Sequence, residues 1–533
     1  MAQVLAQAKF GWTTIRTCNQ AYPMHPFWFA AHGLLLLLVI PFSCLAPSFI
    51  FGGILALCEG WKLVEGVLYI GGGLVLLPLT DVVPTSTAGI VIDAILACLS
   101  LGIFGWLLAL IGALPVVTKS AAKLAFSKSK SDIVNAGAPL PLMTILILPV
   151  LFMFLSSILG GPLAAAEGWP YGQGLLYVAG IFAHSPALAT VAPDTTFGSF
   201  LSLVVATYAL TVAIGIVVGI YILLPAMDSL VDRTSSGFSD SLMGRLACFL
   251  CVVLLGVPLL LFPLAAALGG LVALVEGWDF MTGTIFVGGS FVLLPLTDAA
   301  PVTHLGLTLD FIFSCIGVGL FGFFIAFVGA LPFVDSCADM LGMKLEQPHQ
   351  AFLSTVKFFL LVLPLVSACF SVVLGGLLAL AEGWSFLDGA LFVLSVMIQS
   401  PGIAPAAAVS STAFGNVMIF LAASIGICIS IGWGAGLIVA SSGLDQAAEK
   451  CVYFIHKYQD AELRLYKDLQ NARKAKKEAK KKKGTGTDAE AAAEGIQDVE
   501  AAASSQETRK EAESSQVPRA QEEGTDGPRV ENL

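Results

Sequence analysis

The side chains able to act on an ion are acidic, and they recur at a fixed register inside apolar sequence. Glu59, Glu167, Glu276 and Glu382 each open a Glu-Gly-Trp tripeptide, at spacings of 108, 109 and 106 residues. Asp81 and Asp298 each close the string Leu-Leu-Pro-Leu-Thr-Asp (Leu76, Leu77, Pro78, Leu79, Thr80, Asp81 and Leu293, Leu294, Pro295, Leu296, Thr297, Asp298). Twelve residues beyond them stand Asp93 and Asp310. After the other two glutamates the same stretch reads His184, Ser185, Pro186 and Gln399, Ser400, Pro401. Carboxylates with hydroxyl, amide and imidazole groups at one level attract cations, repel anions and can stand in for hydration water.

Each of these groups also has a structural reading. The four glutamates could cap the helices that start just after them, where unpaired N–H groups and the helix dipole favour acid. Asp81 and Asp298 could hydrogen-bond a neighbouring helix, and Asp93 and Asp310, costly in lipid, must face water or a partner. Trp61, Trp169, Trp278 and Trp384 suit anchors at the membrane interface. His184 and His304 are expected on the outer side, where either could sense pH. With six His, no Gly-x-Ser-x-Gly, no Walker-type Gly-Lys and no His-Glu-x-x-His, no enzyme and no cofactor are expected. No metal is expected either, since the eleven cysteines are scattered and only Cys248 and Cys251 are spaced as a pair.

The elements that position these residues follow from composition. The chain is 57% hydrophobic and 12% charged, far from the roughly 25% charge of soluble domains, and its mean hydropathy is +0.87. Most of its surface must therefore meet lipid. Its 54 glycines and 26 prolines suit membrane helices, which tolerate both. The net charge of −10 conceals an asymmetry: 16 of the 27 basic residues lie in 441–533, so the body lacks the basic surface a nucleic-acid partner needs. The first 27 residues do not read as a cleavable signal.

Around each Glu-Gly-Trp the register extends both ways. A proline lies eighteen residues before the Glu (Pro41, Pro149, Pro258, Pro364), and a Gly-Gly pair opens seven before it (Gly52, Gly160, Gly269, Gly375). Glycine follows at seven (Gly66, Gly174, Gly283, Gly389), an aromatic at ten (Tyr69, Tyr177, Phe286, Phe392) and proline at nineteen. One unit is thus present four times in one orientation, units 1 and 3 being most alike and 2 and 4 sharing Ser-Pro. Each unit holds two apolar runs long enough to span a bilayer and a half-length segment between them, in unit 1 at roughly 28–58, 86–117 and 62–77. The Gly-Gly pairs suit close helix contact, and the prolines before them suit kinks. Lys62 alone among the basic residues falls between the two spans of a unit, which places termini and linkers in the cytoplasm. A half-length segment that returns to its own side leaves backbone unpaired at membrane depth, tolerated only in buried protein or a water-filled cavity. Four such loops meeting on an axis would line a pore.

The stretch from Glu59 through Tyr69, followed by Thr80-Asp-Val-Val-Pro-Thr-Ser-Thr-Ala-Gly89, resembles the pore domain of two-pore-domain potassium channels, and residues 385–392 resemble the same pore helix. The resemblance covers about residues 28–440. It implies an all-α membrane protein: eight transmembrane helices with four re-entrant pore helices and loops, four tandem potassium-channel-like pore domains closing as a pseudo-tetramer. The expected divisions are a cytoplasmic N-terminus (1–27), pore domains at 28–118, 139–227, 244–335 and 353–440, a cytoplasmic basic helix (441–483) and a disordered tail (484–533).

The family's filter, Thr-x-Gly-[Tyr/Phe]-Gly, is missing from every unit. Proline fixes its own dihedral and restricts its predecessor, so a ring of four prolines cannot rebuild a stacked-carbonyl cage. The expectation is an ion channel, for cations rather than anions, with altered or weak selectivity. Its lining would be the 76–81, 184–186, 293–298 and 399–401 residues, with Glu59, Glu167, Glu276 and Glu382 at the outer mouth and Asp93 and Asp310 on the inner helices. The alternatives are a non-conducting scaffold, favoured by the apolar strings of units 1 and 3, and a pore for another small solute. The basic run Arg473 to Lys483 suits anionic lipid or simply enforces topology. One chain suffices to close the ring, and a dimer stays open.

Overall fold

The computed structural model describes residues 26–112, 117, 143–188, 191–209, 214–223, 225–343, 348–400, 403–404, 410 and 412–441. They fall in a body that ends at Glu449; the segment Lys450–Leu533, with most of the expected basic helix and the whole expected tail, lies outside the described residues, as does the N-terminal segment before Pro26. Every regular element among the described residues is helical. In lipid a helix pairs all its backbone polar groups within itself, so an apolar chain of this composition has no cheaper regular form.

Unit 1 comprises α1 (Pro26–Glu59), α2 (Leu63–Val75) and α3 (Thr87–Gly112). Unit 2 has α4 (Leu148–Glu167), α5 (Tyr171–Ala183), α6 (Thr196–Ala209) and α7 (Ile216–Leu223), after which α8 (Pro225–Ser235) leads away. Unit 3 has α9 (Leu242–Cys251), α10 (Val257–Glu276), α11 (Phe280–Val292) and α12 (His304–Gly329), followed by α13 (Pro332–Met340). Unit 4 has α14 (Pro348–Lys357), α15 (Leu363–Glu382), α16 (Phe386–Met397), α17 (Ala413–Gly426) and α18 (Gly434–Val439).

Among the described residues, seven continuous helical segments are long and apolar enough to cross a membrane: Pro41–Glu59, Thr87–Gly112, Thr144–Glu167, Leu242–Glu276, His304–Gly329, His349–Glu382 and Ala413–Val439. The chain is therefore a multi-pass, all-α membrane protein. An eighth span, expected in unit 2, falls on α6 and α7, separated by residues outside the description and each too short by itself.

Three of the four outer helices contain a π-helical turn at one register, Met143–Ile147, Val252–Gly256 and Phe358–Val362. The second residue after each turn is the proline of the −18 position (Pro149, Pro258, Pro364). Proline offers no N–H to the preceding turn and crowds its carbonyl, and a widened turn accommodates both. Unit 1 differs, keeping Pro41 and Pro47 inside one continuous α1.

The glycines set how the helices cross. A Cβ built on Gly52 falls onto the Gly66 carbonyl, and one on Gly66 onto that of Gly52. Gly160 with Gly174, Gly269 with Gly283, and Gly375 with Gly389 repeat the contact. In each unit the outer and short helices thus touch backbone to backbone, which no larger residue permits. The short helices of units 1, 2 and 3 also pack on the third helix of the next unit, as Gly71 does on Leu203 and Gly288 on Phe420. At their far ends α3 packs on α7 through Gly112 with Gly219 and α12 on α18 through Gly329 with Gly436, and Phe104, Leu107, Ile111, Phe321 and Val328 are buried there.

Candidate functional site

Each outer helix stops at its Glu because the following glycine is left-handed: Gly60, Gly168, Gly277 and Gly383 have φ of 71° to 73°. The tryptophan N–H then reaches back to an alanine carbonyl, Trp61 to Ala56, Trp169 to Ala164 and Trp278 to Ala273 at 2.9 Å, Trp384 to Ala379 at 3.0 Å. This bonding pattern ends a helix and satisfies carbonyls that would otherwise be orphaned. The half-buried tryptophan rings lie against the aromatics of the +10 position, 5.4 to 5.6 Å between centroids. They are packed within their own unit.

The glutamates cap a different helix from the one expected. Glu276 accepts from the N–H groups of Val302 (2.9 Å) and Thr303 (3.1 Å) and from the Thr303 hydroxyl (2.5 Å), at the start of α12. Glu59 does the same for Thr85 and Ser86 before α3, and Glu167 for Asp194 and Thr195 before α6. Glu382 accepts from Thr412 and from the Ser410 hydroxyl. The same Ser or Thr caps the third helix, accepting from the N–H of Gly89, Gly198, Gly306 or Gly415 at 2.9 Å. A Cβ on any of those glycines would displace the glutamate oxygen from its hydrogen bonds. The carboxylates are therefore engaged in bracing the loop that leads into the third helix.

At the end of each short helix a residue is forced into the left-handed region, Leu76 (φ 57°), His184 (54°) and Leu293 (52°) at the cap itself and Gln399 (59°) one residue past the cap Ile398. None is glycine, so each position carries backbone strain of order 1 to 2 kcal/mol. The next N–H turns back onto the helix: Leu77 to Gly72, Ser185 to Gly180 and Ser400 to Ser395 at 2.9 Å, Leu294 to Gly289 at 3.0 Å. In units 1 and 3 the loop then folds so closely over the helix that a Cβ on Gly72 or Gly289 would collide with it.

Asp93 and Asp310 are buried, at 2% and 1% exposure, and face partners. Asp93 accepts from Tyr69 of its own unit (2.9 Å) and from Ser400 of unit 4 (2.5 Å). Asp310 accepts from Ser185 of unit 2 (2.5 Å) and from Ser314 one turn along (3.2 Å). Of the two readings of these aspartates, each has a partner, and Asp93 in addition borders the cavity described next.

A cavity of about 820 Å³ opens among units 1, 3 and 4. Leu76 to Thr80, Leu293 to Asp298, Gln399 and Ser400 all line it, together with Asp93. Thr80 and Thr297 are half-buried and cap local turns, accepting from the N–H of Val82 and Ala299. Asp81 is exposed but does not border this space, whereas exposed Asp298 borders it and a second cavity of about 230 Å³. His184 and Ser185 belong to that smaller cavity. His184 is 4% exposed, with its Nε2 3.2 Å from the Val75 carbonyl of unit 1, so its imidazole is packed against the neighbouring unit and not open to solvent. His304 is exposed at the start of α12. No described glutamate of the Glu-Gly-Trp set borders either cavity. Pro78 and Pro295 are exposed, Pro186 begins a short 3-10 turn, and Pro401 lies outside the described residues.

The hydroxyl caps Ser86, Thr195, Thr303 and Thr412 and their glycines three residues on hold the loop entries, a role that sequence analysis did not assign to them, and Tyr69, expected only as a repeated aromatic, donates to Asp93. A Ser or Thr followed three residues later by Gly, in all four units, was the available signal. No protein-family model, curated protein or solved structure matches this chain.

Proposed function

We propose that the protein is an ion channel that passes cations with weak selectivity, built as four potassium-channel-like pore domains in one chain. On this reading the four short helices are re-entrant, α6 and α7 belong to an eighth span, and the chain closes as a pseudo-tetramer with both termini cytoplasmic. The cavity of about 820 Å³ is the observation that carries it. Its wall brings together the loops of three units, offers Thr80, Thr297, Gln399, Ser400 and the Asp298 carboxylate, and among the described residues includes no Lys or Arg. Such a wall attracts cations and repels anions. Loops that fold back over their own helix ends supply no stack of carbonyls like that of the family's filter, which supports weak selectivity. Third helices packed through Gly112 with Gly219 and Gly329 with Gly436 are consistent with a closed gate at the far end.

The non-conducting scaffold is the second reading, supported by the apolar side chains of Leu76, Leu77, Leu293 and Leu294 in the same wall, since an apolar constriction can stay dewetted. Neither reading involves catalysis, and the basic run from Arg473 to Lys483 would serve either by holding anionic lipid. The test is current through the purified protein in a planar bilayer with potassium chloride opposite sodium chloride. A reversal potential near zero, with conductance lowered by Asp298→Asn more than by Asp81→Asn, is expected. Reversal near the potassium potential would overturn the weak-selectivity argument, and silence across voltage, pH and lipid would replace the channel with the scaffold.

A further inference from the structure

The four copies of the unit act as an internal alignment, and two positions in them vary together. One is the loop position eighteen residues after the Glu: Leu77, Ser185, Leu294 and Ser400 in units 1 to 4. The other lies seven residues beyond the hydroxyl cap of the third helix: Asp93, Ser202, Asp310 and Ile419. Wherever the loop offers Ser, the third helix of the following unit offers Asp, and the two meet at 2.5 Å: Ser185 of unit 2 with Asp310 of unit 3, Ser400 of unit 4 with Asp93 of unit 1. Wherever the loop offers Leu, the following helix offers no acid.

We propose that Asp310 and Asp93 are positioning residues that latch the loops of units 2 and 4 from the neighbouring unit, so that the four loops work as two held and two unlatched. The unlatched loops are those of units 1 and 3, which carry Thr80, Asp81, Thr297 and Asp298. The physical basis is burial. A hydroxyl donating to a buried carboxylate makes a stronger hydrogen bond than a neutral pair does, and the carboxylate keeps that partner because the alternative is a charge with too few donors. A leucine at the same loop position has nothing to give such a carboxylate, so acid there would be unsatisfied and the following helices carry Ser202 and Ile419 instead. The inference does not depend on conduction.

The sharpest form of the latch is that a change in one unit loosens the loop of another. Asp310 tests it most cleanly, because the other hydroxyl that donates to it, Ser314, lies on the same helix. Single reporter cysteines replace Ala187, in the unit 2 loop, or Leu296, in the unit 3 loop; both positions are half-buried and border the smaller cavity. Their reaction with a water-soluble thiosulfonate is followed in the full chain by peptide mass spectrometry, with the native cysteines as internal references. Asp310→Ala is expected to speed labelling at position 187 about tenfold or more and to leave position 296 within about twofold, the scale set by losing one charged hydrogen bond. Ser185→Ala should give the same pattern, the two substitutions together should add little to either, and Asp310→Asn, which keeps an acceptor oxygen, should restore near-native labelling. Equal loosening of both loops, loosening of the unit 3 loop alone, or no change with Ser185→Ala would overturn the latch. If Asp310→Ala fails to fold, Ser185→Ala, which removes only a hydroxyl, decides the matter.

Discussion

Replacing Glu276 by alanine removes the acceptor for two backbone N–H groups and one hydroxyl at the entry to α12. Hydrogen bonds contribute about 1 kcal/mol net each, and about 1.5 to 3 kcal/mol when one partner is charged. These three lie toward the exposed rim, where water can replace part of the loss, so the lower figure applies and Glu276→Ala should cost about 3 kcal/mol. Glu276→Gln keeps one acceptor oxygen and should cost about half as much. Gly306→Ala leaves the carboxylate in place but puts a Cβ where its oxygen sits, so it should cost nearly as much as the alanine substitution at 276. The assay is unfolding by SDS in mixed micelles, followed by tryptophan fluorescence. Because Glu59, Glu167 and Glu382 hold equivalent loops, the same substitution in each unit is an independent repetition. A cost for Glu276→Ala below about 0.5 kcal/mol, or a harmless Gly306→Ala, would refute the bracing role and return the glutamates to the solvent-facing ring first expected of them.

Two further outcomes follow from neighbouring features. Gly66→Ala should destabilise the body by about 1 to 3 kcal/mol, because its Cβ meets the Gly52 backbone, whereas Gly73→Ala on the same helix, with open space around it, should be neutral or stabilising by about 0.5 kcal/mol; the same mixed-micelle assay compares them. Asp279 caps α11 by accepting from Met281 and Thr282, and the Thr282 hydroxyl foremost holds its carboxyl below the usual aspartate range. Its folded-state pKa being depressed, the contribution of the cap is present at neutral pH and is lost as pH falls through that lowered value, so Asp279→Ala should destabilise at pH 7 and lose its effect in strong acid, as a pH series of unfolding midpoints would show.

Much of the architecture was legible because it depends on period and composition. Runs such as residues 86–117 are too apolar to be anything but buried helix, and the Glu-Gly-Trp register announced that whatever one unit does is done four times. Residue type gave the chemistry of helix ends as well: glycine after each Glu allows the left-handed stop, and proline eighteen residues earlier marks where the outer helix is disturbed. Even there the form of the disturbance was not legible. A kink and a widened π turn are alternative responses to the same missing N–H, and packing around the helix chooses between them.

Partnership is what the tertiary structure alone decided. A glutamate at the end of one helix has several helix starts within reach of the chain, and sequence proximity pointed to the short helix that begins four residues on; the fold instead brings the entry to the third helix, 26 to 30 residues on, against the carboxylate. Asp93 and Ser400 are 307 residues apart, and no local rule connects them. They meet because the last unit packs against the first, and the loops then differ according to what the neighbouring helix presents. Sequence dictates locally through sterics and hydrophobicity, which act over a few residues, whereas the pairing of a buried charge is settled only when the whole chain has brought its donors together.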